Sequence, residues 1–131
     1  MIRVITFIKP YSGYILAAWV IAILAVSSTP NLPTLKLHTA KSDIRLDYLI
    51  HFCEYAFLAF MTYLAFSSED FSMKAGRLLI IVAVLVIFAT FDEFHQKLIP
   101  GRTFNPKDLL SNLTGICTSL LFCHFALSQT K

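Results

Sequence analysis

The chain has 131 residues, of which 56% are hydrophobic and only 15% are charged, with a formal net charge of +3. Soluble domains are about 45–50% apolar and about 25% charged, so the composition excludes a disordered chain and argues against a soluble globular domain. The basic residues are scattered rather than gathered in one stripe, and we predict no nucleic-acid partner. A membrane-spanning helix needs about 20 apolar residues, so four spans fit. The length therefore predicts one all-α domain over residues 1–131, an integral membrane four-helix bundle whose partner is the lipid bilayer.

Four apolar segments give the predicted spans. In chain order they cover residues 11–28, 46–66, 76–91 and 108–126. The polar segment 31–45 is predicted to be an exposed loop, and residues 92–107 a polar turn region that contains Pro100-Gly101. The β-branched residues of the third segment also suit a buried strand. An open strand leaves its backbone unsatisfied in lipid, however, so the pattern favours a helix.

The first segment has two interpretations. Its apolar core is short, and Ala25-Val26-Ser27 imitates the small-residue cleavage site of a signal peptide. A helix that stays in the membrane is the simpler account, because three further spans follow. The cysteines Cys53, Cys117 and Cys123 all lie inside apolar runs. We interpret them as small hydrophobic side chains rather than as a disulfide framework.

The distribution of basic residues bears on orientation, because four spans place both termini on one side of the membrane. The terminal side holds Arg3, Lys9, Lys74, Arg77 and Lys131, and the opposite side holds Lys36, Lys41, Arg45, Lys97, Arg102 and Lys107. This count is nearly even under the positive-inside rule. Lys9 lies close to the first span, which favours the bacterial cytoplasmic membrane with both termini cytoplasmic.

Polar residues gather at three predicted helix ends, all on the side opposite the termini. They are Asp47, His51, Glu54 and Tyr55 on the second span, Asp92, Glu93 and Gln96 on the third with His95 between them, Asp108, Asn112 and Thr114 on the fourth, and Arg102 in the last loop. The spacing from Asp47 to Tyr55 is typical of one helical face. A charged side chain at the bilayer centre costs about 2.5–3.5 kcal/mol, so we expect these groups to face the bundle interior. For Asp47 and Asp108, capping of a helix N-terminus is the competing interpretation.

The fourth segment also carries small residues at regular intervals. Ser111, Gly115 and Ser119 recur every four residues, a pattern that permits close helix contact. We interpret the pattern as packing, which brings Asp108 and Asn112 within reach of the polar groups on the other helices.

Several of the gathered residues are types that bind divalent metals. They are His51, Glu54, Asp92, Glu93 and His95. Their mixture of imidazole and carboxylate suits Zn or Mn, and a bound metal would activate water near the bilayer surface. In a metal-free alternative, Glu54 acts as a general base. We expect His95 to point away from the cluster, and His38 and His124 to have no role in it.

These residues resemble the motifs of the VanZ-like family of small membrane proteins. The matching pieces are Asp47-x-x-x-His51-x-x-Glu54-Tyr55, Asp92-Glu93-x-x-Gln96, Pro100-Gly101-Arg102, Asp108-x-x-x-Asn112 and Gly115, over about the last two thirds of the chain. The departures are Tyr48, where many members have lysine, and Phe104-Asn105-Pro106, where small residues are usual. The resemblance implies a multi-pass membrane protein, connected in the name-giving member with low-level teicoplanin resistance at the cell envelope. It does not imply a settled reaction.

Two functions of different classes fit this sequence. In the first, the polar cluster holds the bundle together, and Arg102 binds an anionic headgroup such as that of a lipid-linked cell-wall precursor. The alternative is a membrane-embedded metal- or carboxylate-dependent hydrolase or transferase that acts on a lipid-linked substrate. Its candidate catalytic residues are His51, Glu54, Asp92 and Glu93. The sequence fits either an enzyme or a non-catalytic protein.

Overall fold

The computed structural model describes residues 2–31, 36–38 and 43–127, with the backbone alone described for 36–38 and 43–45. Its elements are α1 (Ile2–Ile8), a 3-10 turn (Lys9–Tyr11), α2 (Ser12–Ser27), β1 (Lys36–His38), β2 (Asp43–Arg45), α3 (Asp47–Phe66), α4 (Ala75–Gln96), α5 (Pro106–Phe122) and a π-helical end (Cys123–Leu127). Within these ranges, four helical stretches are long and apolar enough to cross a membrane. The predicted all-α, four-helix class is confirmed.

The outer surface of the bundle is apolar and its interior is partly polar. Tyr14, Leu79 and Ile87 are 81%, 69% and 68% exposed, whereas Glu93 and Asn112 are both 0% exposed. In water, such a continuous apolar surface would be an association or aggregation site. In a bilayer it is the surface that faces the lipid, so the pattern fits an integral membrane protein.

Helices α3 and α5 approach each other closely at Gly115. A Cβ atom added at Gly115 would overlap the carbonyl oxygen of Phe52 and lie 3.0 Å from the backbone nitrogen of Ala56. Ser119, one turn further along, is also buried. The small residues of α5 therefore let its backbone lie against α3, as the spacing predicts.

The first helical stretch, Ile2–Ser27, is called the first helix below, and it is anchored along α3. At one end, Lys9 Nζ donates hydrogen bonds to the carbonyl oxygens of Leu64 and Ser67 at 3.1 and 3.0 Å, which caps the C-terminus of α3. Halfway along, Trp19 Nε1 donates to the carbonyl oxygen of Glu54 at 3.0 Å. The Trp19 ring also packs edge-on against Phe57, with 4.7 Å between the ring centroids. These contacts fix the position of the first helix along the axis of α3.

Two helix boundaries differ from the sequence-based ones. The first stretch is helical from Ile2 and passes through a 3-10 turn at Pro10, where proline lacks the N–H of a regular helix. At the other boundary, α4 continues from residue 91 to Gln96, so residues 92–96 are not part of a turn region. Hydropathy falls there because buried polar side chains enter the interior, while the helical backbone continues.

The segment 31–45 contains a small pair of antiparallel strands, which was not predicted from the sequence. Strands β1 and β2 pair with Leu37 opposite Ile44. Each strand has three residues, too few for the two-residue period of a strand to be recognised in sequence. The prediction of a loop is wrong for these residues, and the rest of the predicted loop, 32–35 and 39–42, lies outside the described residues.

Candidate functional site

The polar residues meet where α3 begins, α4 ends and α5 begins. After α4, a turn is closed by hydrogen bonds from Ile99 N to Gln96 O at 3.0 Å and from Arg102 N to Ile99 O at 3.1 Å. This turn returns Arg102 to the end of α4. It includes Gly101 with a φ of +77°, a left-handed conformation that favours glycine. The loop that the sequence marks by Pro-Gly is therefore what delivers Arg102 to the site.

Three of the four residues that depart from the family pattern have structural roles at the start of α5. Phe104 stacks on Phe94 with 5.1 Å between ring centroids. The Asn105 side chain accepts a hydrogen bond from the backbone N–H of Lys107 at 3.1 Å, which is an N-cap. Pro106 occupies the first turn of the helix, where its missing N–H costs nothing.

One branch of the site runs from α3 to Arg102 through α4. The hydroxyl group of Tyr55 donates to Asp92 Oδ2 at 2.9 Å. Gln96 Nε2 donates to the same carboxylate oxygen at 3.2 Å and to Ser27 Oγ at 3.4 Å. The Gln96 carbonyl oxygen in turn accepts a short hydrogen bond from Arg102 Nη2. A buried carboxylate is thus connected to a half-buried guanidinium group through a neutral amide.

A second branch joins α3, α5 and α4 around His51. His51 Nδ1 lies 3.1 Å from Asn112 Oδ1, and because that oxygen only accepts, the network assigns the Nδ1 proton to His51. Asn112 Nδ2 donates to Glu93 Oε1 at 3.3 Å. On its other side, His51 Nε2 lies 3.9 Å from Asp108 Oδ2. Since Asp92 and Glu93 are adjacent in α4, the two branches share one helix.

Three buried carboxylate oxygens have no hydrogen-bond partner in the part of the chain that the structure describes. They are Asp92 Oδ1, Glu93 Oε2 and Asp108 Oδ1. Their residues are 1%, 0% and 8% exposed. Leaving a buried polar atom unpaired is costly. These oxygens are therefore able to accept hydrogen bonds from a ligand or from water, or to hold a proton.

The candidate residues differ in how far the structure brings them together. Seven are linked by hydrogen bonds in the two branches: His51, Tyr55, Asp92, Glu93, Gln96, Arg102 and Asn112. Asp108 faces His51 without a hydrogen bond. Glu54 is half-buried and interacts electrostatically with Asp92 and Arg102. Asp47 is the first residue of α3, at a helix N-terminus that favours an acidic side chain.

The described residues contain no group of three or more His, Cys, Asp or Glu side chains arranged to hold a metal ion. Two further histidines whose side chains the structure describes, His95 and His124, pack against aromatic rings. The ring of His95 stacks on Phe91 with 6.1 Å between centroids. His124 belongs to the π-helical end of the last helix, and the side chain of His38 lies outside the described residues.

Sequence reasoning missed Ser27, which joins the site from the first helix. Ser27 is 4% exposed and accepts the hydrogen bond from Gln96. The predicted span 11–28 contains Ser27, but the sequence singled it out only as part of an apparent cleavage site. A signal was present: Trp19, Ile23 and Ser27 recur every four residues and so lie on one helical face. That face contacts α3 through Trp19 and α4 through Ser27.

This helical bundle has an apolar exterior and a polar cluster inside one end. These features define a multi-pass membrane protein. A family model described as VanZ/LLP1 matches residues 12–127, and the chain belongs to that family. The predicted resemblance is thereby confirmed, and the match also includes α2, which precedes the motifs. No curated protein and no solved structure matches the chain.

Proposed function

We propose that this protein of the cell envelope binds an anionic, lipid-linked ligand through Arg102. A lipid-linked cell-wall precursor fits this description, because its pyrophosphate and peptide carboxylates are anionic. The observation that carries the proposal is the hydrogen bond between Arg102 and the Gln96 carbonyl oxygen. A neutral amide holds the guanidinium group in place without cancelling its charge.

The chemistry of Arg102 supports this role. A guanidinium group has five N–H donors in a planar fork that matches phosphate and carboxylate oxygens in pairs. Among the described residues, the contact with Gln96 leaves other guanidinium donors without a partner, and Arg102 is half-buried rather than enclosed. It follows α4 at the end of a span, where lipid headgroups lie. An anionic headgroup could therefore reach it without entering the hydrocarbon region.

Lipid binding by an Arg102→Ala variant tests the proposal. Native mass spectrometry of the detergent-solubilised chain would compare short-chain phosphatidic acid with phosphatidylcholine. We expect the variant to lose about tenfold or more in affinity for phosphatidic acid, because hydrogen bonds to charged groups contribute about 1.5–3 kcal/mol. Lys107→Ala is the matched control, since it removes one exposed positive charge from the same face of the bundle. Equal affinities in wild type and Arg102→Ala would refute the role of Arg102.

We propose glycopeptide tolerance as the cellular consequence of this binding. A strain that lacks the protein should be more sensitive to teicoplanin, and the wild-type chain should restore tolerance. Arg102→Ala should not restore it at equal expression, whereas Lys107→Ala should. If deletion leaves teicoplanin sensitivity unchanged, the link to tolerance fails while lipid binding is still measured directly.

We propose the cytoplasmic membrane as the location, with both termini in the cytoplasm. Lys9 supports this orientation because it lies at the terminal side of the first span. The test is labelling of intact cells with a membrane-impermeant maleimide. Thr103→Cys should be labelled directly, and Ser68→Cys, in the connector between α3 and α4, only after the cells are permeabilised. The reverse pattern would invert the topology.

A second candidate function is favoured by the unpartnered carboxylate oxygens and by the position of His51 between Glu93 and Asp108. In this function the site is a hydrolase or transferase for a lipid-linked substrate, with His51 or a buried carboxylate as the general base. Elemental analysis of the purified protein beside a folded His51→Ala variant tests its metal-dependent form. About one metal per chain, lost in the variant, would support a metalloenzyme. No metal in either would leave only the carboxylate-dependent form.

A further inference from the structure

We infer that the end of the first helix, through Ser27 and Asn31, positions Arg102 for its ligand. This inference rests on the proposed function, since it concerns the same anion-binding residue. Ser27 and Asn31 are therefore positioning residues: neither touches the ligand, and each acts through a neighbour of Arg102.

Ser27 acts on the side chain of Arg102 by fixing the amide group of Gln96. The amide nitrogen has two N–H groups, and the structure uses them on two acceptors, Asp92 Oδ2 at 3.2 Å and Ser27 Oγ at 3.4 Å. With the nitrogen so placed, the amide oxygen must face Arg102. A flipped amide would direct its oxygen at the Asp92 carboxylate and its nitrogen at the guanidinium group, and both contacts would be repulsive.

Asn31 acts on the backbone of the turn that carries Arg102. The Asn31 N–H donates to the carbonyl oxygen of Pro100 at 3.2 Å. The next residue, Gly101, lies directly against Asn31: a Cβ atom there would overlap the Asn31 side-chain oxygen and lie 3.3 Å from its Cα. Asn31 itself has a φ of 54°, in the left-handed region that asparagine tolerates better than most residues. The segment after α2 therefore forms one wall of the turn.

These two contacts come from one short segment but constrain different parts of Arg102. One restrains its guanidinium group through Gln96, and the other restrains its main chain through Pro100 and Gly101. A free arginine side chain samples many rotamers, and restricting them before binding raises affinity. The first helix thus contributes to ligand binding as well as to the bundle.

The first test compares two neighbouring serines on the first helix. Among the described residues, the hydroxyl group of Ser28 bonds only within its own helix, to the carbonyl oxygen of Leu24 at 2.7 Å, and it is exposed. We expect Ser27→Ala to weaken binding of short-chain phosphatidic acid about threefold, within the range for one neutral hydrogen bond. Ser28→Ala should bind as the wild type does. Equal affinities for the two variants would overturn the role of Ser27.

The second test uses Gly101 and Asn31 together. Gly101→Ala introduces both a strained φ and an overlap with the Asn31 side chain, so we expect a loss of about tenfold or more in affinity, consistent with overpacking and left-handed strain. Adding Asn31→Gly removes only the overlap and should recover part of the loss. If the double variant binds no better than Gly101→Ala, the proposed wall is not what places Arg102.

A double-mutant cycle separates positioning from general stabilisation. If Ser27 acts through Arg102, Ser27→Ala should cause no further loss of affinity in an Arg102→Ala background, whereas independent effects would add. An unchanged threefold loss in that background would overturn the inference. A wild-type chain that binds phosphatidic acid no better than phosphatidylcholine would overturn both this inference and the proposed function. Preferential binding with Ser27→Ala at wild-type affinity would overturn the inference alone.

Discussion

The two ends of the bundle use their basic residues in opposite ways. At the end that holds the chain termini, Lys9 and Arg77 donate to backbone carbonyl oxygens at the C-terminus of α3. At the other end, Arg102 donates to a side-chain amide that is itself bonded to a buried carboxylate. The first arrangement caps a helix and is complete within the fold. The second holds a cation at the edge of a polar cluster, where, among the described residues, its side chain bonds to Gln96 alone.

Counting basic residues overlooks this difference. A count treats Lys9, Arg77 and Arg102 as equivalent charges in loops. In the structure, two of them satisfy helix ends and one belongs to the candidate site. The partners of a cation are therefore more informative about its role than its place in the sequence.

The largest expected effect concerns the polar end and uses Asn112→Leu. The substitution removes both the acceptor of His51 and the donor to Glu93, so two buried polar groups lose a partner at once. We expect a loss of about 2–3 kcal/mol in stability, measured as thermal unfolding in detergent. Thr114→Val on the same helix is the control, because Thr114 is exposed and, in the part of the chain that the structure describes, its hydroxyl bonds only to Leu110 O. Matching unfolding temperatures for the two variants would mean that the branch around His51 does not hold the bundle together.

The next effect separates the two ends directly. Lys9→Met removes three hydrogen bonds at the C-terminus of α3, and membrane hydrogen bonds average about 0.6 kcal/mol each. We therefore expect a stability loss of about 2 kcal/mol with no change in affinity for phosphatidic acid. Arg102→Met should do the reverse, lowering affinity much more than stability. The comparison between the ends breaks down if Lys9→Met weakens lipid binding as much as Arg102→Met does.

The smallest effect concerns a contact that lies midway between the two ends of the bundle. Trp19→Phe removes the hydrogen bond to the Glu54 carbonyl oxygen but keeps an aromatic ring against Phe57. We expect a stability loss of about 0.6–1 kcal/mol, seen as a small decrease in unfolding temperature. Trp19→Leu, which also removes the aromatic pair, should cost more. A Phe variant as unstable as the Leu variant would assign the whole effect to the hydrogen bond.

Much of this fold could be predicted from sequence because lipid imposes simple rules. Apolar length gave the four helices, and the cost of burying polar groups predicted that His51, Glu93 and Asn112 would face inward. The same rules also limited what could be predicted. Hydropathy places a helix end wherever polar residues begin, so it ended α4 before Asp92, and it gave no sign that Ser27, inside the predicted first span, faces the interior. Polar residues that face the interior and polar residues that leave the membrane look alike in a hydropathy profile.

Helical spacing also gave only part of the arrangement on α3. Residues 51, 54 and 55 share one broad face, yet the structure divides them among different partners. His51 turns to α5 and Tyr55 to α4, while the Glu54 carbonyl oxygen accepts from the first helix. Successive helical residues differ by about 100° in direction, and which neighbour lies in each direction is set by the packing of the other helices. That packing is not encoded in the spacing of one segment.

The adjacent acids of α4 have a consequence for how that helix is set about its own axis. The surface of α4 that faces the lipid is uniformly apolar, so lipid contact alone permits the helix to roll. Asp92 and Glu93 point in directions about 100° apart, and each is held by a different helix, through Tyr55 on α3 and Asn112 on α5. A roll in either direction lengthens one of these hydrogen bonds. Two neighbouring side chains thereby define one rotation of α4 about its axis, which contact with lipid alone does not fix.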